Sequence, residues 1–194
     1  GGHVALLAQK WHEGAPRAAE LYRTALTQET SPLRHAVPHP DGCTVGLVLR
    51  EPQGDGLFLA ERDVRWDPLD RVGPRLSPAT GNVLPESVRY SPDGSVIVFI
   101  LEKDGGEREL WAVPSGGSAD RAVRILDGAL TSEPAFSPDG RRVAVSRGAV
   151  GAYETVVVNV EDGTVESVVG PGLVGPQSWH PSGEYLLLTA PDPV

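Results

Sequence analysis

Short apolar stretches separated by polar turns recur along the whole 194-residue chain. The clearest are apolar at alternating and at intervening positions, as in Ile97-Val98-Phe99 and Val143-Ala144-Val145. Apolar side chains on both faces are typical of strands in sheets that are covered on both sides. The frequent Gly and Pro between the stretches predict short strands connected by turns, and no long helix.

A tetrapeptide of the form Ser/His-Pro-Asp/Ser-Gly occurs four times. Its copies lie at 39–42, 91–94, 137–140 and 180–183, so they recur roughly every 45 residues. Pro fixes φ for the second position of a turn, and Gly accepts the positive φ from which a return strand can begin. Each copy therefore predicts a hairpin. Gly94 and Gly140 are expected to hold positive φ, and Gly140→Val is expected to destabilise the fold more than Gly163→Ala.

Each copy of the tetrapeptide belongs to a unit of several strands. An aromatic residue precedes three of the copies, namely Tyr90, Phe136 and Trp179. A second apolar strand at 109–113 or 155–160 follows, and then a third short stretch at 123–126 or 165–169. Four strands in about 45 residues are typical of one propeller blade. The predicted fold is all-β, a β-propeller of four-stranded antiparallel blades.

The repeat divides the chain into a partial array of about four blades. We predict a partial blade at 1–33, blades at 34–84, 85–130 and 131–173, and a partial blade at 174–194. The position of residues 15–26 in the repeat favours strand over helix there. The absence of Met and the apolar start at 4–7 indicate a piece of a longer protein. We expect an open arc from a ring of six to eight blades, which self-associates in isolation.

The turn and its flanks also suggest a family. A Pro, an aromatic residue, Ser-Pro-Asp-Gly and an apolar strand follow one another in Glu133–Val145, and Val88–Phe99 is a second copy. This pattern resembles the WD40-like PD40 repeats of the TolB family of bacterial propellers. His replaces Ser at 39 and 180, and Ser replaces Asp at 182. The resemblance implies a bacterial, periplasmic or cell-envelope protein whose ring binds other proteins.

The same resemblance leaves a second function open. Similar propellers precede prolyl-oligopeptidase-type hydrolases, occur in some polysaccharide lyases, and act as sensor domains on membrane regulators. The chain itself has no Gly-x-Ser-x-Gly elbow, P-loop, His-Glu-x-x-His or dinucleotide-binding fingerprint. We therefore predict a non-catalytic module that binds a protein or a small ligand. The alternative is the propeller domain of a larger enzyme whose catalytic part lies outside this chain.

Composition excludes several other classes. The net charge of −9 argues against nucleic acid as a partner, because phosphate binding requires a basic face. Cys43 is the single cysteine, which excludes a disulfide framework and a thiolate metal site. No apolar stretch approaches the roughly 18 residues of a membrane helix. We predict no cofactor, no metal and no membrane span within the chain.

Histidines and tryptophans offer few candidates for chemistry. His35 and His39 would lie about 13 Å apart in a strand, too far to share a metal ion. We expect His39 and His180 to take the place of the turn-capping Ser. The charged segment at 62–71, which contains Trp66, favours a solvated insertion over a cation site or partner-binding loop. Trp111 and Trp179 are predicted core residues, whereas Trp11 and Trp66 are weaker candidates for an interface.

The strand that leads into each turn is predicted to be the innermost strand of its blade, lining the central channel. Polar residues precede or lie within three of these strands: Glu86, Arg89, Glu133 and Gln177. We predict that this set, called the channel-mouth cluster below, is the binding site.

Overall fold

The computed structural model describes residues 3–10, 17–25, 33–42, 44–61, 72–149, 152–170 and 174–189. Regular structure in these ranges is antiparallel β-sheet, apart from two short 3-10 helices at Pro85–Ser87 and Ala119–Arg121. Neither of these single turns has the length or the apolar character of a helix that crosses a membrane. The predicted all-β class is confirmed.

The described strands form antiparallel sheets that follow one another along the chain. The first sheet contains β1 (His3–Lys10) and β2 (Arg17–Ala25). The second contains β3 (Leu33–Pro38), β4 (Thr44–Glu51), β5 (Gly54–Glu61) and β6 (Val72–Arg75). The third contains β7 (Asn82–Val83), β8 (Arg89–Tyr90), β9 (Val96–Glu102), β10 (Arg108–Pro114) and β11 (Val123–Gly128). The fourth contains β12 (Ala135–Phe136), β13 (Arg142–Arg147), β14 (Glu154–Asn159) and β15 (Val165–Val169). The fifth contains β16 (Val174–Trp179) and β17 (Leu186–Thr189).

The strand order is that of propeller blades. The second and fourth sheets run β3-β4-β5-β6 and β12-β13-β14-β15. In the third sheet, β7 and β8 both pair with β9, and the helix Pro85–Ser87 separates them, so together they form one interrupted first strand. That sheet begins at Asn82, upstream of the blade boundary predicted between 84 and 85. Strand β2 confirms strand rather than helix in 17–25.

The core lies between the sheets. In β9, all residues between Val96 and Glu102 are buried, as the uninterrupted apolar pattern predicts. Val98 and Ile100 pack against the fourth sheet, in one cluster with Val143. The residues between them point the other way, and Phe99 packs in a cluster with Leu57 of the second sheet. Strand β9 is thus covered on both sides, and each such side chain contributes about 1.5–3 kcal/mol of burial energy.

Strand β17 differs from β9. Leu186 and Leu188 are half-buried, whereas Leu187 is 65% exposed. Tyr185, just before the strand, is 64% exposed. Within the described part of the chain, β17 is therefore covered on one face.

The aromatic residues before the second and fourth turns, Tyr90 and Trp179, pack against the preceding sheet. The Tyr90 ring lies edge-on to the His39 ring at 4.8 Å, and its buried hydroxyl has no hydrogen-bond partner among the described residues. Trp179 donates its indole N–H to the carbonyl of Ala135 at 3.0 Å and lies under the Arg142 guanidinium at 4.8 Å. These side chains join consecutive sheets, which explains why the repeat carries an aromatic at this position.

Candidate functional site

Side chains of the tetrapeptide itself hold each turn together. Ser91 donates its hydroxyl to the Asp93 carboxylate at 2.6 Å, and its oxygen accepts the backbone N–H of Val96 at 3.0 Å. Gly94 and Gly140 have φ of 76° and 72°, which confirms the predicted turn geometry. The Ser, Asp and Gly that recur in the tetrapeptide therefore stabilise the hairpin turn.

The two histidine-containing turns use the imidazole in place of the hydroxyl. Nδ1 of His39 accepts the backbone N–H of Asp41 at 2.9 Å, and Nδ1 of His180 accepts that of Ser182 at 3.2 Å. Nε2 of His39 lies 2.8 Å from the carbonyl oxygen of Gly94, to which it donates. Both nitrogens of His39 are thus occupied by protein atoms, as expected for a turn residue rather than a metal ligand.

Neighbouring turns also contact one another and form a row, called the turn row below. His39 bridges the first and second turns through Gly94. Arg142, just after the third turn, donates to the carbonyl of Gly183 in the fourth at 3.1 Å. In both links the acceptor is the carbonyl of the turn glycine, whereas the donor occupies a different position in each repeat.

The carboxylates of Asp93 and Asp139 accept hydrogen bonds within their own turns. Bonds from the hydroxyl of Ser91 and from the backbone and hydroxyl of Ser95 lower the pKa of Asp93 to about 2. Bonds from Ser137 and the backbone of Arg141 lower the pKa of Asp139 in the same way. Both side chains are charged at neutral pH and already accept several hydrogen bonds, so they are poor candidates for acid–base chemistry.

Part of the channel-mouth cluster comes together in the fold. Glu86 lies in the helix Pro85–Ser87, Arg89 in β8, and Glu133 just before β12. Nη2 of Arg89 pairs with Oε2 of Glu133, and Nη1 donates to the carbonyls of Glu86 and Val88 at 2.8 Å each. The ion pair joins the third sheet to the segment that enters the fourth. Gln177 lies in β16, and its side chain is outside the described residues.

The ion pair between Arg89 and Glu133 is accessible to solvent. The two side chains are 36% and 53% exposed. Pairs at this exposure contribute about 0–1 kcal/mol, because water screens them. A ligand carboxylate could therefore replace Glu133 on Arg89 at little cost, while the carbonyls of Glu86 and Val88 keep the guanidinium in position.

A cleft of about 150 Å³ lies beside this pair, between the third and fourth sheets. Its lining includes Glu86, Glu133 and two residues that the sequence analysis did not select, Arg108 and Ser132. Nη1 of Arg108 donates to the carbonyl of Leu130 at 3.0 Å. The sequence of a single repeat could not predict the role of Arg108, because its side chain extends from β10 to the segment that leads into the next blade.

Two serines hold the segments that carry the cluster. The hydroxyl of Ser87 donates to the carbonyl of Leu84 at 2.7 Å and accepts the backbone N–H of Ile100 at 2.8 Å. Ser132 accepts the backbone N–H of Ser146 at 2.8 Å. Ile100 and Ser146 lie equally far beyond their turn glycines, so the two blades use the same device. It fixes the backbone on both sides of the cleft.

Several predicted candidates lie outside the described residues. They are Trp11, Cys43 and the whole segment 62–71 with Trp66. Among the side chains that are described, no three His, Cys, Asp or Glu residues converge as metal ligands. The predicted core residues Trp111 and Trp179 are both half-buried, Trp111 against the edge of a core cluster and Trp179 against Ala135 and Arg142.

Comparison with known proteins gives similarities over parts of longer chains. No protein-family profile matches the chain. The Protein TolB homolog of Chlorobium luteolum is 31% identical over 96 residues, which are 50% of this chain and 22% of that protein. TolB from Acinetobacter baumannii superposes with a TM-score of 0.58 at 16% identity, over 96% of this chain and 46% of that one. The β-propeller domain of the Trilobed protease from Pyrococcus furiosus superposes with a TM-score of 0.53 at 16% identity, over 78% of this chain and 46% of that one. This chain spans less than half the length of each of these proteins.

The structural similarities, at this low identity, show the β-propeller fold. The match to the TolB homolog agrees with the tetrapeptide turns and with the four-stranded antiparallel sheets. The chain is a partial array of β-propeller blades, and its repeats are similar to those of a TolB homolog.

Proposed function

We propose that the chain is a non-catalytic binding module and that the channel-mouth cluster contacts a protein partner. The observation that carries the proposal is the exposed pair of Arg89 and Glu133 beside a cleft between two blades. The guanidinium is oriented by two backbone carbonyls, so binding a carboxylate requires little reorganisation. By analogy with TolB proteins, we propose that the module works in a bacterial cell envelope.

The size of the cleft favours a protein over a small molecule as the occupant. Pockets for small ligands usually enclose about 300–1,000 Å³, whereas this cleft has about 150 Å³. A shallow cleft with an exposed arginine suits one acidic side chain presented on a larger surface. The chain's net charge of −9 adds no attraction for nucleic acid.

The second candidate is that the chain is the propeller part of a larger enzyme. The similarity to the propeller domain of the Trilobed protease favours it. In that case, the propeller shapes access to a catalytic domain encoded elsewhere in the same gene. The complete gene sequence decides between the two: an α/β-hydrolase segment with a Ser nucleophile supports the enzyme, and further repeats without such a segment support the binding module.

Site-specific photocross-linking in the complete protein, in its own cells, tests the binding surface. A photoreactive residue at Glu86 should give a discrete cross-linked product. The same residue at Asp127, which is 72% exposed at the end of β11, is the matched control and should not. Arg89→Ala should abolish the product without changing the melting temperature, because the exposed ion pair contributes little stability. Equal products from Glu86 and Asp127, or a product that persists in Arg89→Ala, would contradict the proposal.

A further inference from the structure

Arginine side chains in the described part of the chain almost all have a partner. Carboxylates pair with the following residues: Arg34, Arg50, Arg75, Arg89, Arg108, Arg124 and Arg147. Arg142 donates to a carbonyl and stacks on Trp179. The guanidinium groups of Arg121 and Arg141 have no hydrogen bond, ion pair or ring contact with any described residue.

Both of these arginines line the same groove, of about 640 Å³, between the third and fourth sheets. Arg121 is the last residue of the helix Ala119–Arg121, which precedes β11. Arg141 follows the third tetrapeptide turn and precedes β13. They belong to different blades, so only the stacking of the sheets brings them to one cavity.

The remainder of the groove is mainly apolar. The ends of β9 and β10 contribute Val96, Ala112 and Val113, and Val160 comes from the turn after β14. Val123 also lines the groove and is 57% exposed, a large value for a valine beside a core. An apolar group placed here would remove this surface from water.

The acidic residues nearby do not neutralise the two arginines by contact. The carboxylate of Asp120 is bound by the hydroxyl of Ser118, and that of Asp139 by Ser137 and the backbone of Arg141. Glu161 lines the groove but forms no ion pair with either arginine. Besides these hydrogen bonds, Arg121 and Arg141 attract the neighbouring carboxylates of Asp120 and Asp139 through space and so help to lower the pKa of each. Neither of those carboxylates lines the groove, so the lining itself carries two guanidinium groups and one carboxylate.

We propose that this groove binds a small organic anion with an apolar body. Its carboxylate or phosphate group would receive hydrogen bonds from Arg121 and Arg141, since a guanidinium presents a planar fork of donors to such oxygens. Its apolar part would lie against Val96 and Val123. The volume is in the range typical of small-ligand sites. The groove lies at the turn side of the blades and shares no lining residue with the channel-mouth cleft.

Titration of the ¹⁵N-labelled full chain with 3-phenylpropionate and with phenyl phosphate tests the site. Both anions should produce saturable shifts at the amides of Val123, Arg141 and Glu161. The neutral analogue 3-phenylpropan-1-ol should bind at least about tenfold more weakly, since it lacks the charged oxygens. The anion with the lower Kd identifies the preferred head group. Equal affinity for the alcohol and both anions, or no saturable shift with either anion, would overturn the proposal.

Variants separate this site from non-specific binding. Arg121→Gln and Arg141→Gln should each raise the Kd of the better anion about tenfold, while Glu161→Gln should lower it. Arg50→Gln, which removes the same charge from β4 in another blade, is the matched control and should leave the Kd unchanged. The melting temperatures of the groove variants should lie close to that of the parent, because neither guanidinium forms a hydrogen bond or ion pair with a described residue and exposed charges add little stability. An unchanged Kd in the double variant Arg121→Gln/Arg141→Gln would refute the assignment.

Discussion

Replacing Gly163 by Ala should destabilise the fold more than the same change at Gly140, which corrects the sequence-based expectation that Gly163 is the more tolerant of the two sites. Gly163 lies in the turn between β14 and β15 and has φ of 73°. A Cβ at this position would lie 2.8 Å from the carbonyl oxygen of Ile125 and 3.2 Å from its Cα. Both atoms belong to the backbone of β11 in the neighbouring blade, so they cannot rotate away as a flexible side chain could.

The comparison with Gly140 isolates this steric effect. Gly140 has nearly the same φ, 72°, and lies in the same blade, but the nearest atom to its Cβ position is Cδ of Pro92 at 3.5 Å, an ordinary contact. Positive φ costs any residue with a Cβ about 1–2 kcal/mol, and this cost applies at both sites. Crowding at Gly163 adds about 1–3 kcal/mol, the usual cost of overpacking.

Urea unfolding followed by circular dichroism and tryptophan fluorescence measures the difference. We expect the urea midpoint to be highest for the parent, lower for Gly140→Ala and lowest for Gly163→Ala, with the same m-value for all three. In a thermal melt, each kcal/mol corresponds to about 2–4 °C for a chain of this size. Coincident midpoints for the two variants would refute the predicted contact between the β14–β15 turn and β11.

Three further predictions concern the turns and the absence of chemistry. Tyr90→Phe should leave the free energy of unfolding unchanged or raise it by up to about 1–3 kcal/mol, because the buried hydroxyl has no hydrogen-bond partner among the described residues. A clearly lower urea midpoint would show that the hydroxyl does have a hydrogen-bond partner. The pKa of Asp93, about 2, lies below its ordinary value of 3.8, so this group stabilises the fold above pH 4 and the contribution is lost as the pH falls towards 2. Between about pH 4 and pH 2, the melting temperature of Asp93→Asn should therefore fall less steeply than that of the parent. Parallel curves of melting temperature against pH would contradict the lowered pKa of Asp93. The purified chain should not turn over ester, peptide or polysaccharide substrates, and an activity that survives repurification and disappears with one substitution in this chain would disprove this.

The elements within one repeat could be predicted because their causes lie within one repeat. Pro and Gly set the turn, and the apolar stretch after it identifies a strand covered on both sides. The role of His39 at its turn was also predictable, since it occupies the position of the capping Ser. Even the strand assignment of 17–25 followed from its position in the repeat rather than from its helical propensity.

Features that depend on the next repeat could not be predicted. The donation from His39 to Gly94, the crowding of Gly163 by Ile125 and the groove lined by Arg121 all arise from how one sheet stacks on another. The pattern of one strand contains no information on which residue of the neighbouring sheet it meets. For the same reason, the sequence suggested that Glu86, Arg89 and Glu133 lie near one another, but it did not indicate which of them would pair.

The turn row has a consequence for how such chains change during evolution. Each link joins a position in one repeat to the same region of the next, as between His39 and Gly94 or between Arg142 and Gly183. A duplicated repeat would therefore present the same glycine carbonyl to the preceding repeat, and its own donor to the next one. Gene duplication or deletion of a whole repeat would preserve most of these links, so the number of blades could drift while the local chemistry of each blade stays the same.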